Sequence, residues 1–286
     1  MSLLRITFIA ASSAVALACE PRPAVPIAVS DAAAGTTLDT IRMDGSAGVR
    51  PLVEALARGY ALQRPDITIL IGDGLGAKAR VTAVAESRID IAMASHGVDM
   101  EELRARGLTA VEIARVAVVF GLHEDAAPVT VTEQQLCDLY GGRIANWREL
   151  GGADVPVLLL ARPEGEVDAD VVAAGIGCFP PVAQMRGARV LQRPDEMAEA
   201  LSTTSGAVGM TSLPFVQRSG GTFRVLAIDG VEPTPANVRD GTHALTRQSF
   251  LVVSEEPSPA VASFLAFVTG AAGAGIMEAQ GAVPLR

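Results

Sequence analysis

The chain has 286 residues, 49% of them hydrophobic and 19% charged, with three cysteines and a formal net charge of −9. That is enough apolar material for one large core or two ordinary ones, which excludes disorder as the starting assumption. The negative balance, with no Lys/Arg cluster, excludes a nucleic-acid partner, because backbone phosphates are held mainly by basic groups.

At the N-terminus Arg5 precedes an apolar run, Ile6 to Leu17, which ends in Ala16-Leu17-Ala18-Cys19. One basic residue, an apolar stretch and small residues at a cut site make residues 1–18 read as a secretory signal peptide. The run is too short to span a bilayer, which needs ~20 residues, and no later segment qualifies. Cutting before Cys19 also fits lipoprotein processing, which would put lipid on Cys19 and hold the exported chain at the membrane surface. Residues 19–37 are rich in Pro, Ala and small polar residues and read as a flexible tether. With Cys19 lipidated, Cys137 and Cys178 remain either as a disulfide pair or as two separate buried thiols, and spacing does not decide between them.

From Ile41 onward short apolar runs alternate with helical periods. "DITILI" (66–71), "DIAMA" (90–94), "ARVAVVFGL" (114–122), "VPVLLLA" (155–161), "FRVLAI" (223–228) and "FLVV" (250–253) read as buried strands. "RPLVEALARGYALQ", "AKARVTAVAESR", "TEQQLCDLYGG", "DEMAEALSTT" and "PAVASFLAFVTG" place apolar residues at i, i+3 and i+4 and read as amphipathic helices. This alternation predicts an α/β fold with largely parallel sheets covered on both faces. A core of this size splits into two lobes, and ligands of such folds sit at the carboxyl ends of strands against helix N-termini.

Three strand-to-helix loops carry the candidate chemistry. In "MDGSAGVRPL" Ser46 caps the following helix, or Gly45 and Gly48 expose backbone N–H groups that hold an anion at the helix end. "IGDGLGAKAR" has G-x-G-x-G spacing around Asp73 and Gly74 and lacks the acidic residue that a dinucleotide site needs. It reads as a tight turn or a close approach to a small ligand. "ARPEGEVDAD" crowds Glu164, Glu166, Asp168 and Asp170 after a strand; carboxylates suit a first helical turn by about 0.3 to 1 kcal/mol each. A calcium loop is the sharper alternative there, but the order of ligands in known calcium loops is not met. No G-x-S-x-G elbow or H-E-x-x-H occurs, and His96, His123 and His243 lie far apart, so the pattern points to no enzyme and no cofactor.

In order, "DGSAGVRPLVEALARGYALQRPDITI", "GDGLGAKARVTAVAESRIDIAMASHGVDMEEL", "LYGGRIANWRELGG", "SGAVGMTSL" and the closing "FLAFVTGAAGAGIMEAQGAVPL" resemble the solute-binding proteins of phosphate ABC transporters, from Ile41 to Arg286. The resemblance implies a two-lobed type II periplasmic-binding-protein-like clamp with a two-strand hinge. It places the crossings near Phe120 and Gln248, one lobe at 38–119 plus 248–286 and the other at 120–247. It implies a periplasmic or cell-surface protein that encloses phosphate or a related oxyanion and hands it to a membrane permease. It also implies a ligand shell made of Ser46, Gly48, Val49, Asp73, Gly74, Ser95, His96, Arg162, Gly165, Glu166, Val167 and Asp168.

Several of these positions depart from the family's pattern. Gly48 stands where members usually have Thr, and Asp73 where they have Ser. Glu166 and Asp168 replace the Ser and Thr of the family's Arg-x-x-Gly-Ser-Gly-Thr, while Arg162 and Gly165 remain. At an effective dielectric of ~20, like charges 4 Å apart repel by about 4 kcal/mol. That is roughly a thousandfold in affinity per contact. The expectation is therefore an altered, more acidic pocket with Arg162 as the remaining anion contact. The alternatives are a scaffold or sensor that keeps the fold, or a variant that captures a metal or cation.

Overall fold

The structure, a computed structural model, describes residues 39–95, 98–126 and 130–285. The readings of signal peptide, tether and Cys19 lipidation lie outside the described residues, as does His96.

In chain order the elements are β1 (Asp39–Gly45), α1 (Arg50–Gln63), β2 (Ile67–Ile71), α2 (Ala77–Ala85), β3 (Ile91–Ala94), α3 (Met100–Arg104), β4 (Leu108–His123), β5 (Thr130–Val131), α4 (Glu133–Tyr140), β6 (Leu158–Ala161), α5 (Val167–Gly175), β7 (Arg189–Val190), α6 (Pro194–Thr203), β8 (Ala207–Ser212), α7 (Leu213–Arg218), β9 (Phe223–Ile228), α8 (Pro235–Arg239), β10 (Thr246–Ser254), α9 (Pro259–Thr269), α10 (Ala271–Ala279) and β11 (Ala282–Pro284). Helix α1 starts where expected, with Pro51 in its first turn, and buries Leu52, Val53, Leu56 and Tyr60 on one stripe. A reciprocal cap between Thr132 and Gln135 fixes the start of α4, and Ser258 caps α9. No single helix among the described residues is long and apolar enough to cross a membrane.

The strands form one sheet in the order β2-β1-β3-β10-β4-β8-β6-β7, with β9 and β11 also on β4 and β5 on β9. Pairing is parallel where strands are joined through helices: β1 with β2 and β3, β6 with β7 and β8, and β5 with β9. Every antiparallel pairing between two of these strands involves β4 or β10. The pairings that avoid those two long strands, within β2-β1-β3, β8-β6-β7 and β5-β9, are the parallel ones that the alternation predicts.

The same two strands join two cores. Ile113, Ala114 and Val116 of β4 pack in a first core with Ile41, Met43, Leu52, Leu56, Leu251 and Phe264. Val118, Phe120 and Leu122 of the same strand pack in a second core with Leu136, Tyr140, Trp147, Val172 and Val208. The chain returns between Leu245, in the second core, and Leu251, in the first. Thus Phe120 lies wholly in the second core, and Gln248 lies on the return passage.

Cys137 of α4 and Cys178, just beyond α5, form a disulfide. This resolves the two readings of those cysteines in favour of pairing. It clamps α5, and with it the loop after β6, to the body of the second core.

Candidate functional site

The loops after β1 and β3 meet first. Gly45 sits at φ +133°, and a Cβ there would lie 2.2 Å from the Met93 carbonyl oxygen, so only glycine fits. The close approach lets Ser46 N–H donate to Met93 O at 2.8 Å. It also sets Ser46 Oγ 3.3 Å from Ser95 Oγ, bringing together two expected site hydroxyls. The Val49 N–H, expected to face a ligand, donates instead to Ser46 O at 3.1 Å, and its side chain is buried. Asp44 Oδ1 accepts from both Gly45 N (2.6 Å) and Gly74 N (2.9 Å), which folds the loop after β2 onto the loop after β1. Arg50 Nη2 donates to Gly72 O at 2.7 Å. The Asp73 side chain, by contrast, is fully exposed, 4.0 Å from Arg50.

On the opposite side the loop after β6 carries the charges inward. Arg162 is 2% exposed. Its Nη2 meets Glu166 Oε1 at 3.0 Å, its Nε donates to Glu166 Oε2 at 3.3 Å, and its Nη1 donates to Leu191 O at 2.9 Å. Glu166 is also the N-cap of α5, accepting from Asp168 N at 3.1 Å, which explains why the helix starts at Val167. Gly165 turns the chain at φ +77°, at an exposed corner.

Asp168 is buried and pairs with Arg247 rather than with Arg162. Its carboxylate accepts from Arg247 Nε at 2.9 Å, and both side chains are almost fully buried, at 7% and 1% exposure. Burial pushes the Asp168 carboxyl above the usual carboxylate range while the Arg247 charge pulls against that shift. Arg247 Nη2 also donates to Gly48 O (2.8 Å) and to Ser212 Oγ (3.2 Å), and its Nη1 is buried with no partner. A Cβ on Gly48 would stand 3.2 Å from Nη2, so the missing side chain at 48 makes room for the guanidinium.

The structure therefore brings together Ser46 with Ser95, Glu166 with Arg162, and Gly48 with Asp168, and it leaves Asp73 outside. Among the described residues no group of three or more His, Cys, Asp or Glu is placed to hold a metal ion. The two inward carboxylates each meet a separate guanidinium. Sequence reasoning missed Arg247 and Ser212. The apolar run was read only from Phe250, whereas β10 begins at Thr246 and alternates Arg247, Ser249 and Leu251 onto its buried face. A charged residue in phase with that alternation was the available signal.

Two further contacts tie the sides together. Arg193 Nη2 donates to Asp73 O at 3.0 Å, and Arg218 Nη1 stands 3.6 Å from Glu54 of α1. A separate cavity of about 160 Å³ is lined by Val118, Phe120, Ile176, Leu226, His243 and Leu245. There His243 Nε2 lies 3.0 Å from Val118 O and 3.1 Å from Leu245 O, on the two passages between the cores. Burial lowers its pKa, so the imidazole is neutral and Nε2 donates.

The chain matches the model of a PBP superfamily domain over residues 30–272. It is 26% identical over 247 residues to the phosphate-binding protein PstS of Bacillus subtilis, covering 85% of this chain and 80% of that protein. Among solved structures, a Clostridium perfringens protein assigned as a phosphate ABC transporter substrate-binding protein, with bound phosphate, superposes with a TM-score of 0.71 at 27% identity. That match covers 87% of this chain and 100% of the other. The reduced form of OxyR from Neisseria meningitidis shares the fold alone, with a TM-score of 0.54 at 9% identity, covering 86% of this chain and 99% of the other. By the extent of the family match and the two-lobed fold, this chain belongs to the PBP superfamily.

Proposed function

We propose that this chain is an exported solute-binding protein that captures phosphate or a related small oxyanion between two lobes, 38–119 with 248–286 and 120–247, and works with an ABC permease. The pocket is altered and more acidic than the pattern of its relatives. The reading is supported by the phosphate-binding names of its relatives and by the disulfide, which belongs to oxidising compartments outside the cytosol. The observation that carries it is the convergence on one buried guanidinium. Gly48 O from one side and Asp168 and Ser212 from the other all bind Arg247, so two of the altered positions, Gly48 and Asp168, sit at a shared, charged, buried place.

At that place the two guanidiniums of Arg162 and Arg247 are offset by the two carboxylates of Glu166 and Asp168. An anion entering such a set finds fewer free donors than four neutral groups would give it, and it meets two negative neighbours. Binding is accordingly weak or selective for an oxyanion that carries its own protons. A thermal-shift panel of oxyanions, divalent metals and amines tests the assignment, since a ligand that binds only the folded chain must raise its melting temperature. The expected result is a rise with phosphate or another oxyanion; a rise with metals or amines alone contradicts it.

A second reading, a fold kept as scaffold or sensor without transport, is favoured by one observation. Arg247, Arg193 and Arg218 already join the two sides through the protein's own groups. It predicts no rise with any ligand in the same panel.

A further inference from the structure

We infer that Arg247, on the strand that passes between the two cores, and not Arg162, supplies the cationic contact to the bound oxyanion. The inference rests on the proposed function and deepens it by moving the anion-binding charge to a residue outside the three loops.

Each guanidinium has two of its five N–H groups left, but in Arg162 they are divided between Nη1 and Nη2, each already held by an acceptor, whereas in Arg247 both are on Nη1. An arginine offers five N–H donors in a fixed fork. All three nitrogens of Arg162 already have acceptors: Nε and Nη2 take the two oxygens of Glu166, and Nη1 takes the Leu191 carbonyl. With its carboxylate partner in a two-point pair, its charge is matched locally. In Arg247 the Nε is taken by Asp168 and Nη2 by Gly48 O and Ser212 Oγ, while Nη1 is buried without any acceptor. Two residues further along the same face of β10, Ser249 Oγ is also buried without a partner. A buried N–H pair of a guanidinium left unpaired is costly, and an acceptor arriving from outside removes that cost.

Position agrees with chemistry. The guanidinium touches Gly48 from the first loop and Asp168 from the third, two positions where the family resemblance puts ligand contacts. It also bonds both loops at once, so an anion on Nη1 would bind where the first and third loops meet. Gly48 and Asp168 act together here: the first leaves room for the fork, and the second holds its Nε edge while Nη1 keeps no acceptor. Asp168 is a positioning residue in this arrangement, and the Ser212 hydroxyl steadies Nη2.

Titration calorimetry of the full chain with inorganic phosphate at neutral pH tests this. The wild type is compared with Arg247→Lys, with the double variant Arg247→Gln/Asp168→Asn, and with Arg162→Lys, each checked for a cooperative melt. The double variant removes both charges of the buried pair, so no carboxylate is left unpaired and the fold is retained. Phosphate affinity should fall at least about 10-fold in both Arg247 variants, the loss of one charge-assisted contact, and by less in Arg162→Lys. A loss in Arg162→Lys as large as in the Arg247 variants, or affinity unchanged in the double variant, overturns the assignment and leaves the proposed function standing. Absence of binding by the wild type to phosphate and to the other oxyanions of the panel overturns both.

Discussion

Two loops of this fold each follow a strand, each lead into a helix, and each carry a carboxylate where the family resemblance expects a hydroxyl: Asp73 after β2 and Asp168 after β6. Asp73 is fully exposed, with Arg50 at 4.0 Å. Asp168 is 7% exposed, with Arg247 Nε at 2.9 Å. Their local sequences do not account for the contrast. What differs is a guanidinium delivered to one loop from β10, 79 positions along the chain, for which the other loop has no buried counterpart. An exposed pair is worth about 0 to 1 kcal/mol, whereas breaking a buried pair by removing one partner costs about 3 to 5 kcal/mol. The same type of substitution is thus a surface event in one loop and a structural commitment in the other.

The contrast can be broken in order of expected effect. Asp168→Asn leaves the Arg247 charge buried and should lower the unfolding free energy by about 3 to 5 kcal/mol in denaturant titration. A loss below 1 kcal/mol would mean the pair is not buried in solution. Cys137→Ser opens the disulfide that clamps α5 across a sequence separation of 41 and should cost about 4 kcal/mol by the same assay. Equal stability of oxidised and reduced protein would argue that the bridge does not form. Glu166→Ala removes both the cap of α5 and the partner of Arg162 and should cost about 2 kcal/mol. Restoration by Glu166→Asp is not expected, because the shorter side chain does not span cap and guanidinium together. Asp73→Ala should change stability by no more than about 0.5 kcal/mol. A larger change would place its side chain in contacts that its full exposure denies.

Much of the fold was legible because periodicity is local. Helix α1 spans the residues its apolar stripe marks out, and β9 those of its apolar run. The strands that were hardest to delimit are the long ones. Only Ala114–Leu122 of β4 reads as apolar, yet the strand begins at Leu108, because Thr109 and Glu112 lie on its half-exposed stretch. The carboxylates of "ARPEGEVDAD" read as the first turn of a helix, but nothing local shows that Glu166 turns back to cap it. The site was legible in its loops and illegible in its pairings. Whether Glu166 and Asp168 face solvent, ligand or protein depends on Arg162 and Arg247, and the second of these sits in a segment whose strand character is hidden by its own polar residues.

The central claim, that Gly48 and Asp168 have been rebuilt around a buried Arg247 pair, is tested most directly by a double-mutant cycle on Asp168→Asn and Arg247→Gln, read as unfolding free energy. The account predicts that the double variant is more stable than either single variant, with a coupling of at least about 2 kcal/mol, because removing both charges removes the desolvation problem that each single change creates. Losses that simply add, to within about 0.5 kcal/mol, would contradict it and mean that the two side chains do not depend on each other.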